Sequence, residues 1–217
     1  MKYLLIFLSF ISIGYSDLTY IYQKDVQGRE SKTVWTLNFK EKENTLHIKG
    51  DSDNGKTLII TTPERMTQTF THELLKQNHT YTIEREGQCL HASRTLNGDK
   101  TVKEFNIGSH PWIQEFDFSF KPFILSKNSY FKFSIIHPKH LTLHRMVATK
   151  QTIEPLEVHG KVYDALRVKV TLAGLKKMFW HSDLWFDPQS GDLLKYMATE
   201  GPNTPLRTIT LFSKQLH

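Results

Sequence analysis

His181 and Asp183 are two residues apart, so on a β-strand their side chains point to the same face and could form an acid–base pair. Apolar residues flank them on both faces of that strand, which favours a position near a ligand cavity or barrel mouth. Hydrolysis would also need a nucleophile in a constrained turn. The sequence has no Gly-x-Ser-x-Gly elbow, phosphate-binding glycine loop or His-Glu-x-x-His helix. A hydrolase is therefore our third hypothesis, and a hydrogen bond that only satisfies the two side chains is the simpler interpretation.

Eleven histidines invite a search for metal ligands, and the tightest cluster is His137, His140 and His144. Pro138 prevents a helix through His137, and no carboxylate accompanies the three residues within the segment. Zinc sites need three or four converging ligands. We therefore expect solvent-facing loop histidines, and we predict neither a metal nor another cofactor.

The single cysteine and the charge balance exclude several other classes of protein. Cys89 alone cannot form an intramolecular disulfide, and we expect it to be a small buried residue. The 28 basic against 22 acidic residues give a net charge of +6, spread along the chain. The longest basic cluster is only Lys176-Lys177, so nucleic acid is a poor fit. The excess favours peripheral contact with an anionic membrane surface over repulsion from it.

Aromatic residues are the more informative set, with fourteen Phe, eight Tyr and four Trp. Core packing is their usual role. The alternative is an aromatic-lined cavity that holds an acyl chain or another apolar ligand. We predict that the ligand-lining residues are Trp35, Trp112, Phe116, Phe118, Phe120, Trp180, His181, Asp183 and Trp185.

Alternation of apolar and polar residues is the dominant pattern, as in residues 35–40, 131–135 and 166–172. This pattern is typical of antiparallel strands with one wet and one buried face. Residues 63–76 are the best helix candidate, yet their threonines favour a strand. Residues 112–125 are irregular, with Phe116, Phe118 and Phe120 alternating before Pro122, and we interpret this segment as a strand or short turn-helix crossing one end of the sheet. Hairpin turns are predicted at Val26-Gln27-Gly28, Asp53-Asn54-Gly55, Asn97-Gly98-Asp99 and Ser190-Gly191-Asp192.

These signals predict an all-β fold of roughly twelve to fourteen short meandering strands. So many strands must close or curl to avoid exposed edges. We therefore expect one strongly curved antiparallel sheet or half-open β-barrel. Whether the interior of this sheet is packed or hollow distinguishes the possible functions.

Residues 1–16 have the features of a secretory signal peptide. Lys2 supplies the positive charge, residues 3–13 are mostly apolar, and Gly14-Tyr15-Ser16 fits cleavage before Asp17. The apolar run is shorter than the roughly 20 residues that span a bilayer. A buried strand or a membrane anchor is the alternative. We therefore expect residues 17–217 to form a single exported all-β domain.

The C-terminal region carries a specific string of residues. Residues 179–187 read Phe-Trp-His-Ser-Asp-Leu-Trp-Phe-Asp, residues 188–196 continue through Ser-Gly-Asp, and residues 200–205 read Glu-Gly-Pro-Asn-Thr-Pro. This hairpin, together with residues 111–123, resembles the DUF3108-like family of exported, uncharacterised bacterial proteins. The resemblance implies a curved antiparallel β fold in the periplasm of a Gram-negative bacterium, without an assigned activity. In shape, the expected fold also resembles the half-barrels that carry lipoproteins across the periplasm.

The leading functional hypothesis is non-enzymatic binding of an apolar or lipid-like ligand inside the curved sheet. The second is a cell-envelope assembly or interaction module with a fully packed core and a protein partner. The hydrolase using His181 and Asp183 is third, and an integral outer-membrane barrel is fourth. A continuous apolar cavity would favour the first hypothesis over the second.

Overall fold

The computed structural model describes residues 17–174, 180–199 and 204–217. The predicted signal peptide, residues 1–16, lies outside the described residues, as do Phe179 and residues 200–203 of the C-terminal string. The described chain forms one antiparallel sheet of fourteen strands that is not closed into a barrel. The predicted all-β class and the strongly curved meandering sheet are confirmed.

The strands are β1 (Leu18–Val26), β2 (Arg29–Lys40), β3 (Thr45–Ser52), β4 (Gly55–Thr61), β5 (Thr67–Leu74), β6 (His79–Glu86), β7 (Cys89–Leu96), β8 (Asp99–Asn106), β9 (Tyr130–His137), β10 (Thr142–Val158), β11 (Lys161–Leu172), β12 (His181–Phe186), β13 (Leu193–Ala198) and β14 (Arg207–Leu216). Two short helices, α1 (Phe116–Ser119) and α2 (Lys121–Leu125), lie between β8 and β9. A 3₁₀ turn (Leu75–Gln77) joins β5 to β6. None of these helices has the length and apolar character needed to cross a bilayer.

The strand order runs from β8 down to β1, then from β14 down to β9. Every ladder therefore joins strands that are neighbours in sequence, except the ladder between β1 and β14, which runs from Leu18↔Leu216 to Val26↔Arg207. The sheet edges are β8 and β9. A hydrogen bond links the β8 edge to the turn between β9 and β10: Lys103 Nζ donates to the Leu141 carbonyl at 3.2 Å.

Three of the four predicted hairpin turns contain a residue with positive φ, and the turn at Asp53-Asn54-Gly55 contains none. Gln27 (φ 55°) and Gly28 (φ 77°) reverse the chain between β1 and β2. Asn97 (φ 53°) and Gly98 (φ 95°) do the same between β7 and β8. Two successive positive φ angles suit the twist of a tight antiparallel hairpin.

Helices α1 and α2 pack against the apolar face of the curved sheet. The Glu115 carboxylate caps α1, since it accepts hydrogen bonds from the Asp117 N–H at 2.5 Å and the Phe118 N–H at 3.1 Å. Phe118 packs edge-on against Trp35, with ring centroids 5.5 Å apart. Of the two forms predicted for residues 112–125, the short helix is correct, because α1 and α2 both lie in this range. The alternation of Phe118 and Phe120 with Asp117 and Ser119 therefore does not indicate a strand here.

Candidate functional site

A cavity of about 810 Å³ lies on the apolar face of the sheet. Its size falls within the roughly 300–1,000 Å³ of small-ligand sites. Strands β5 and β6 line one side, and strands β9, β10, β11, β13 and β14 line the rest. The two groups are separated in the sheet order, so the curvature of the sheet brings them together. The lining residues are Phe70, His72, Leu74, Tyr81, Gln114, Ile135, Ile136, His137, Pro138, Lys139, His144, Met146, Leu172, Trp180, Tyr196, Thr199 and Arg207.

The first wall is a stack of rings on β5 and β6. The ring centroid of His72 lies 6.3 Å from that of Phe70 and 6.3 Å from that of Tyr81, with all three rings nearly parallel. His72 Nδ1 lies 2.8 Å from the Thr57 hydroxyl. Burial lowers the pKa of His72, so the ring is neutral at neutral pH. This wall therefore presents flat, uncharged surfaces to a ligand.

The opposite wall is aliphatic, with Ile136 and Met146 buried and Leu172 half-buried. Trp180 completes it beside Leu172 and Thr199. The indole Nε1 of Trp180 donates to the Thr199 carbonyl at 2.9 Å. Because this bond satisfies the polar end of the indole, the rest of the ring system can contact an apolar chain.

Gln114 connects the two walls. Its Nε2 donates to the Ile136 carbonyl at 2.7 Å, and its Oε1 accepts from the Ile136 N–H at 3.2 Å and from Trp112 Nε1 at 3.0 Å. The Gln114 backbone N–H donates to the Thr67 hydroxyl on β5 at 3.3 Å. The segment that enters α1 is thereby held to β5 and β9 at once.

Two basic side chains, those of Arg207 and Lys139, line the cavity. The Arg207 guanidinium lies over the Tyr196 ring, 5.6 Å from its centroid. Lys139 is exposed in the turn between β9 and β10, and its carbonyl accepts a hydrogen bond from Arg94 Nη1. Among the lining residues that the structure describes, none is acidic.

Two half-buried carboxyl groups, Glu115 and Asp117, lie at the start of α1. Burial raises the pKa of Asp117 to about 6, although its hydrogen bond with Glu115 and the positive charge of Arg207 act in the opposite direction. Burial and the neighbouring Asp117 charge raise the pKa of Glu115 well above its usual value. The pair therefore holds a proton at a higher pH than exposed carboxyl groups do.

A second polar cluster surrounds the buried Asp192. Its carboxylate accepts a hydrogen bond from Tyr20 at 3.0 Å, pairs with Lys214 Nζ at 2.6 Å and lies 3.7 Å from Lys121 Nζ. Burial opposes ionisation of Asp192, but the Lys214 hydrogen bond and the Lys121 charge outweigh it and hold its pKa below the usual value. Burial, followed by the Asp192 charge, raises the pKa of Tyr20 to about 12. This cluster ties α2 to β1 and β14.

Of the nine predicted ligand-lining residues, Trp180 lies in the cavity wall. Trp112 and Phe120 are fully buried, and Phe118 is almost so. Trp35 and Phe116 are partly buried and pack against the same core. The structure thus places these five aromatic side chains in the packed core next to the cavity.

The remaining three predicted residues are His181, Asp183 and Trp185. Their side chains point to the face of β12 opposite the one that faces the cavity. Arg167 Nε and Nη2 each lie 3.0 Å from Asp183 Oδ1. His181 Nε2 is 3.9 Å from the other carboxylate oxygen, which is too far for a hydrogen bond. The geometry thus joins Asp183 to Arg167 rather than to His181.

Trp185 belongs to a smaller apolar cluster on that outer face, with Leu156 and Leu194. Its indole Nε1 donates to Glu154 at 2.6 Å. Arg167 and Lys195 lie over the Trp185 ring system at 5.5 and 5.6 Å. This indole is therefore already enclosed by side chains of its own sheet.

The histidine cluster was predicted to lie in a solvent-facing loop, which holds for His140 but not for His137 and His144. His137 is the last residue of β9, His144 lies on β10, and both line the cavity. The rings of His137 and His140 lie 4.8 Å apart around the turn between the two strands. Within residues 17–174, 180–199 and 204–217, no group of three His, Cys, Asp or Glu side chains is placed to hold a metal ion. Cys89 is a free, half-buried thiol at the first position of β7.

Sequence reasoning missed His72, Tyr81, Gln114, Lys139 and Arg207 as cavity residues. They come from five separate segments, and no local motif links them. The parity of β5, which puts Phe70, His72 and Leu74 on one face, was the available signal for that wall.

No family model and no curated protein matches this chain. The comparison with solved structures does find similar folds. MucB, in the Pseudomonas aeruginosa MucA/MucB complex, is 10% identical with a TM-score of 0.40, covering 93% of this chain and 52% of that one. The hypothetical lipoprotein YmcC from Escherichia coli is 12% identical with a TM-score of 0.38, covering 92% and 87%. A LolA superfamily protein from Nitrosomonas europaea is 8% identical with a TM-score of 0.27, covering 93% and 86%.

This chain spans about half the length of the MucA/MucB structure that it matches. Similarity at this level carries no argument about function. Membership of the DUF3108-like family stays a prediction, since none of these comparisons tests it.

Proposed function

We propose that this protein is an exported, periplasmic β protein that binds an apolar or lipid-like ligand without chemical conversion. The observation that carries the proposal is the cavity of about 810 Å³ between the ring stack of β5–β6 and the aliphatic wall of β9–β10. Burying apolar ligand surface there would contribute roughly 25 cal/mol per Å² before the costs of ordering the ligand.

The shape of the interior favours this function over an interaction module with a fully packed core. Helices α1 and α2 pack with Phe133 and Trp35 in the core, and the cavity lies beside them. Two side chains that face the cavity, Trp180 and His72, already have partners for polar ring atoms. An apolar ligand can therefore occupy the space without leaving these polar atoms unsatisfied.

Calorimetric titration of the mature protein with dodecanol, a neutral apolar probe, tests the proposal. Leu172→Trp would fill part of the cavity with an indole ring. It should weaken binding about tenfold, equivalent to about 1.4 kcal/mol. Leu206→Trp is the matched control, because Leu206 is exposed and does not line the cavity. Failure of the wild-type protein to bind dodecanol, or equal binding by a folded Leu172→Trp variant, would contradict the proposal.

Native mass spectrometry of protein purified from the periplasm, followed by lipid extraction, identifies the natural ligand class. Near-stoichiometric lipid is the expected result. A partner protein bound to an empty cavity would instead support the interaction module.

A further inference from the structure

We propose that the outer edge of β8 pairs with the same edge of a second copy of this chain, so that two sheets join across a twofold axis at Val102. The two strands are antiparallel, and Lys100 of each copy lies opposite Glu104 of the other. Every residue of β8 is described and none of them lines the cavity, so this inference does not depend on the proposed ligand.

The two edges of the described sheet differ. The segment that enters α1 covers part of the β9 edge, since the Ser134 N–H donates to the Pro111 carbonyl at 2.7 Å and the Ile113 N–H donates to the Ser134 carbonyl at 3.0 Å. The Gln114 side chain binds both backbone groups of Ile136 on the same edge. In the part of the chain that the structure describes, no group forms such bonds with the outer edge of β8. An uncovered strand edge is a template for pairing with another chain.

The backbone groups at the uncovered edge belong to the even-numbered residues of β8. The turn between β7 and β8 has two residues with positive φ, and in such a hairpin the flanking residues, Leu96 and Asp99, form a hydrogen-bonded pair. Hydrogen-bonded pairs recur at every second residue, so β7 takes the backbone groups of the odd-numbered residues. The ladder has no register shift, and just beyond it the Ile107 N–H still donates to the Gln88 carbonyl at 2.9 Å. The N–H and C=O groups of the even-numbered residues therefore point away from the sheet.

The sequence of this edge is complementary to itself. Lys100, Val102 and Glu104 are all exposed, and 59% of the Val102 surface is accessible. In an antiparallel pair centred on Val102, this residue faces its own copy, and Lys100 faces Glu104 on both sides of the axis. Opposite charges at directly opposed positions stabilise such a ladder, and like charges destabilise it.

The same residues fix the register of the pair. Because the backbone groups of Lys100, Val102 and Glu104 all point outward, each of the three opposed pairs is also a hydrogen-bonded pair. A shift of two residues in either direction would place Val102 opposite a charged side chain and separate the Lys–Glu pairs. The centred register is therefore the one that satisfies the backbone and the charges together.

The two charged side chains have room for this contact. Lys100 forms no ion pair with any residue that the structure describes. The Oε1 atom of Glu104 lies 3.2 Å from His91 Nδ1 on the neighbouring strand, which leaves Oε2 for a second partner. Opposed residues of a hydrogen-bonded pair have Cα atoms about 5.5 Å apart, a distance that a lysine side chain spans easily.

Pairing through β8 gives a closed and weak dimer. A twofold contact uses the same strand in both copies, so it consumes both β8 edges and leaves the two β9 edges, which are partly covered, at the ends. One strand of eight residues on each copy is a small contact beside the roughly 1,200 Å² that stable interfaces bury. The dimer should therefore form in a concentration-dependent way.

Sedimentation equilibrium of the mature protein from about 10 μM to about 1 mM, at neutral pH and physiological ionic strength, measures this association. The apparent mass should rise from one chain toward two. Lys100→Glu and Glu104→Lys should each weaken the dimer about tenfold, because the twofold axis then opposes like charges at two places. The variant with both substitutions restores opposite charges and should dimerise within about twofold of the wild type. Lys132→Glu, an equal charge change at an exposed position of the other edge strand, is the matched control and should change nothing.

A substitution at the axis tests the backbone pairing. Val102→Pro removes the central N–H donor of the dimer but no bond to β7, because that N–H points outward. We expect this variant to be monomeric and to unfold at the same urea concentration as the wild type. Val102→Thr keeps the donor and should dimerise like the wild type.

A wild-type chain that stays monomeric at about 1 mM would overturn the proposal, even for a contact as small as one strand pair. A dimer that persists in Val102→Pro, or one that Lys132→Glu weakens as much as Lys100→Glu, would also overturn it, because the contact would lie elsewhere. If Val102→Pro does not fold, the charge reversals and their mutual rescue decide. Dodecanol affinity should be the same in all these variants, so a failure to bind dodecanol would contradict the proposed function alone.

Discussion

The side-chain amide of Gln114 binds both backbone groups of Ile136, at 2.7 Å to its carbonyl and 3.2 Å to its N–H. Gln114 thereby takes the place of one residue of a further strand at the edge of β9. The Ile136 backbone groups on that edge are satisfied, so this part of the edge is less able to pair with another chain. The same side chain accepts the Trp112 indole hydrogen bond, which joins the fixed edge to the core.

Removing this amide should destabilise the protein without altering its composition of secondary structure. Gln114→Ala leaves the buried Ile136 and Trp112 groups without a partner, so we expect the free energy of unfolding to fall by about 2–3 kcal/mol in urea titrations. Gln77→Ala, at an exposed position, is the matched control and should change stability little. If Gln114→Ala unfolded at the same urea concentration as the wild type, the Gln114 side-chain hydrogen bonds would contribute nothing to stability.

The two tryptophans of the C-terminal hairpin should separate binding from stability. Trp180→Ala removes a cavity wall, so dodecanol affinity should fall about tenfold. Trp185→Ala removes a ring enclosed on the outer face, so it should lower the free energy of unfolding by about 3 kcal/mol and leave dodecanol affinity unchanged. If Trp185→Ala lost dodecanol binding and Trp180→Ala did not, the binding site would lie on the outer face of the sheet.

Asp117 should make the protein more stable in mild acid. Its pKa is about 6 when folded, against 3.8 as the unperturbed value, so between these pH values the folded state holds a proton that the unfolded state has lost. Stability from this group therefore rises as the pH falls from about 7 toward 4. Asp117→Asn should be more stable than wild type at pH 8, by on the order of 2 kcal/mol, and should depend less on pH.

Denaturant titrations from pH 4 to pH 8 measure this difference. Asp99→Asn, at an exposed position on β8, is the control for the loss of one negative charge. If Asp117→Asn and Asp99→Asn gave parallel pH profiles, the raised pKa of Asp117 would be refuted.

Asp192 should have the opposite pH dependence. Its folded pKa is lower than the unperturbed value of 3.8, so its contribution is complete above that pH and is lost as the pH falls through the folded pKa. Asp192→Asn should cost about 2–3 kcal/mol at pH 7, because the amide has no negative charge for Lys214 and only one acceptor oxygen for Lys214 and Tyr20, which now use two. The deficit should shrink once the pH falls below the unperturbed value of 3.8 and through the lower folded pKa.

A double-mutant cycle of Asp192→Asn with Tyr20→Phe measures how much of that loss passes through the Tyr20 hydroxyl. We expect a coupling energy of about 1 kcal/mol. Additive effects would mean that Asp192 acts through Lys214 and Lys121 alone.

The strands could be predicted from sequence wherever one face is wet. In β11, Val168 and Val170 are fully buried while Lys169 between them is exposed. The alternation of apolar and polar residues in the sequence therefore predicts this strand and its buried face. The turn at Asn97-Gly98 was readable because these residues tolerate positive φ. Each of these features depends on residues within a few positions of one another.

The cavity could not be predicted in the same way. Trp180 was predicted to line the cavity because it is aromatic, but Tyr81, Gln114 and Arg207 come close to it only through the curvature of the whole sheet. The phenylalanines of residues 116–120 were assigned to the lining because they are aromatic. Once Glu115 caps α1, Phe118 and Phe120 point into the core instead.

The ladder between β1 and β14 has a consequence for how the chain folds. All other ladders of the described sheet are hairpins or neighbouring strands, which form from nearby residues within microseconds, whereas β1 must find a partner at the far end of the chain. We expect two independent meanders to form first and their joining to limit the folding rate. Until they join, β1 and β14 are both unpaired strand edges, so this interval is when the chain is most exposed to aggregation.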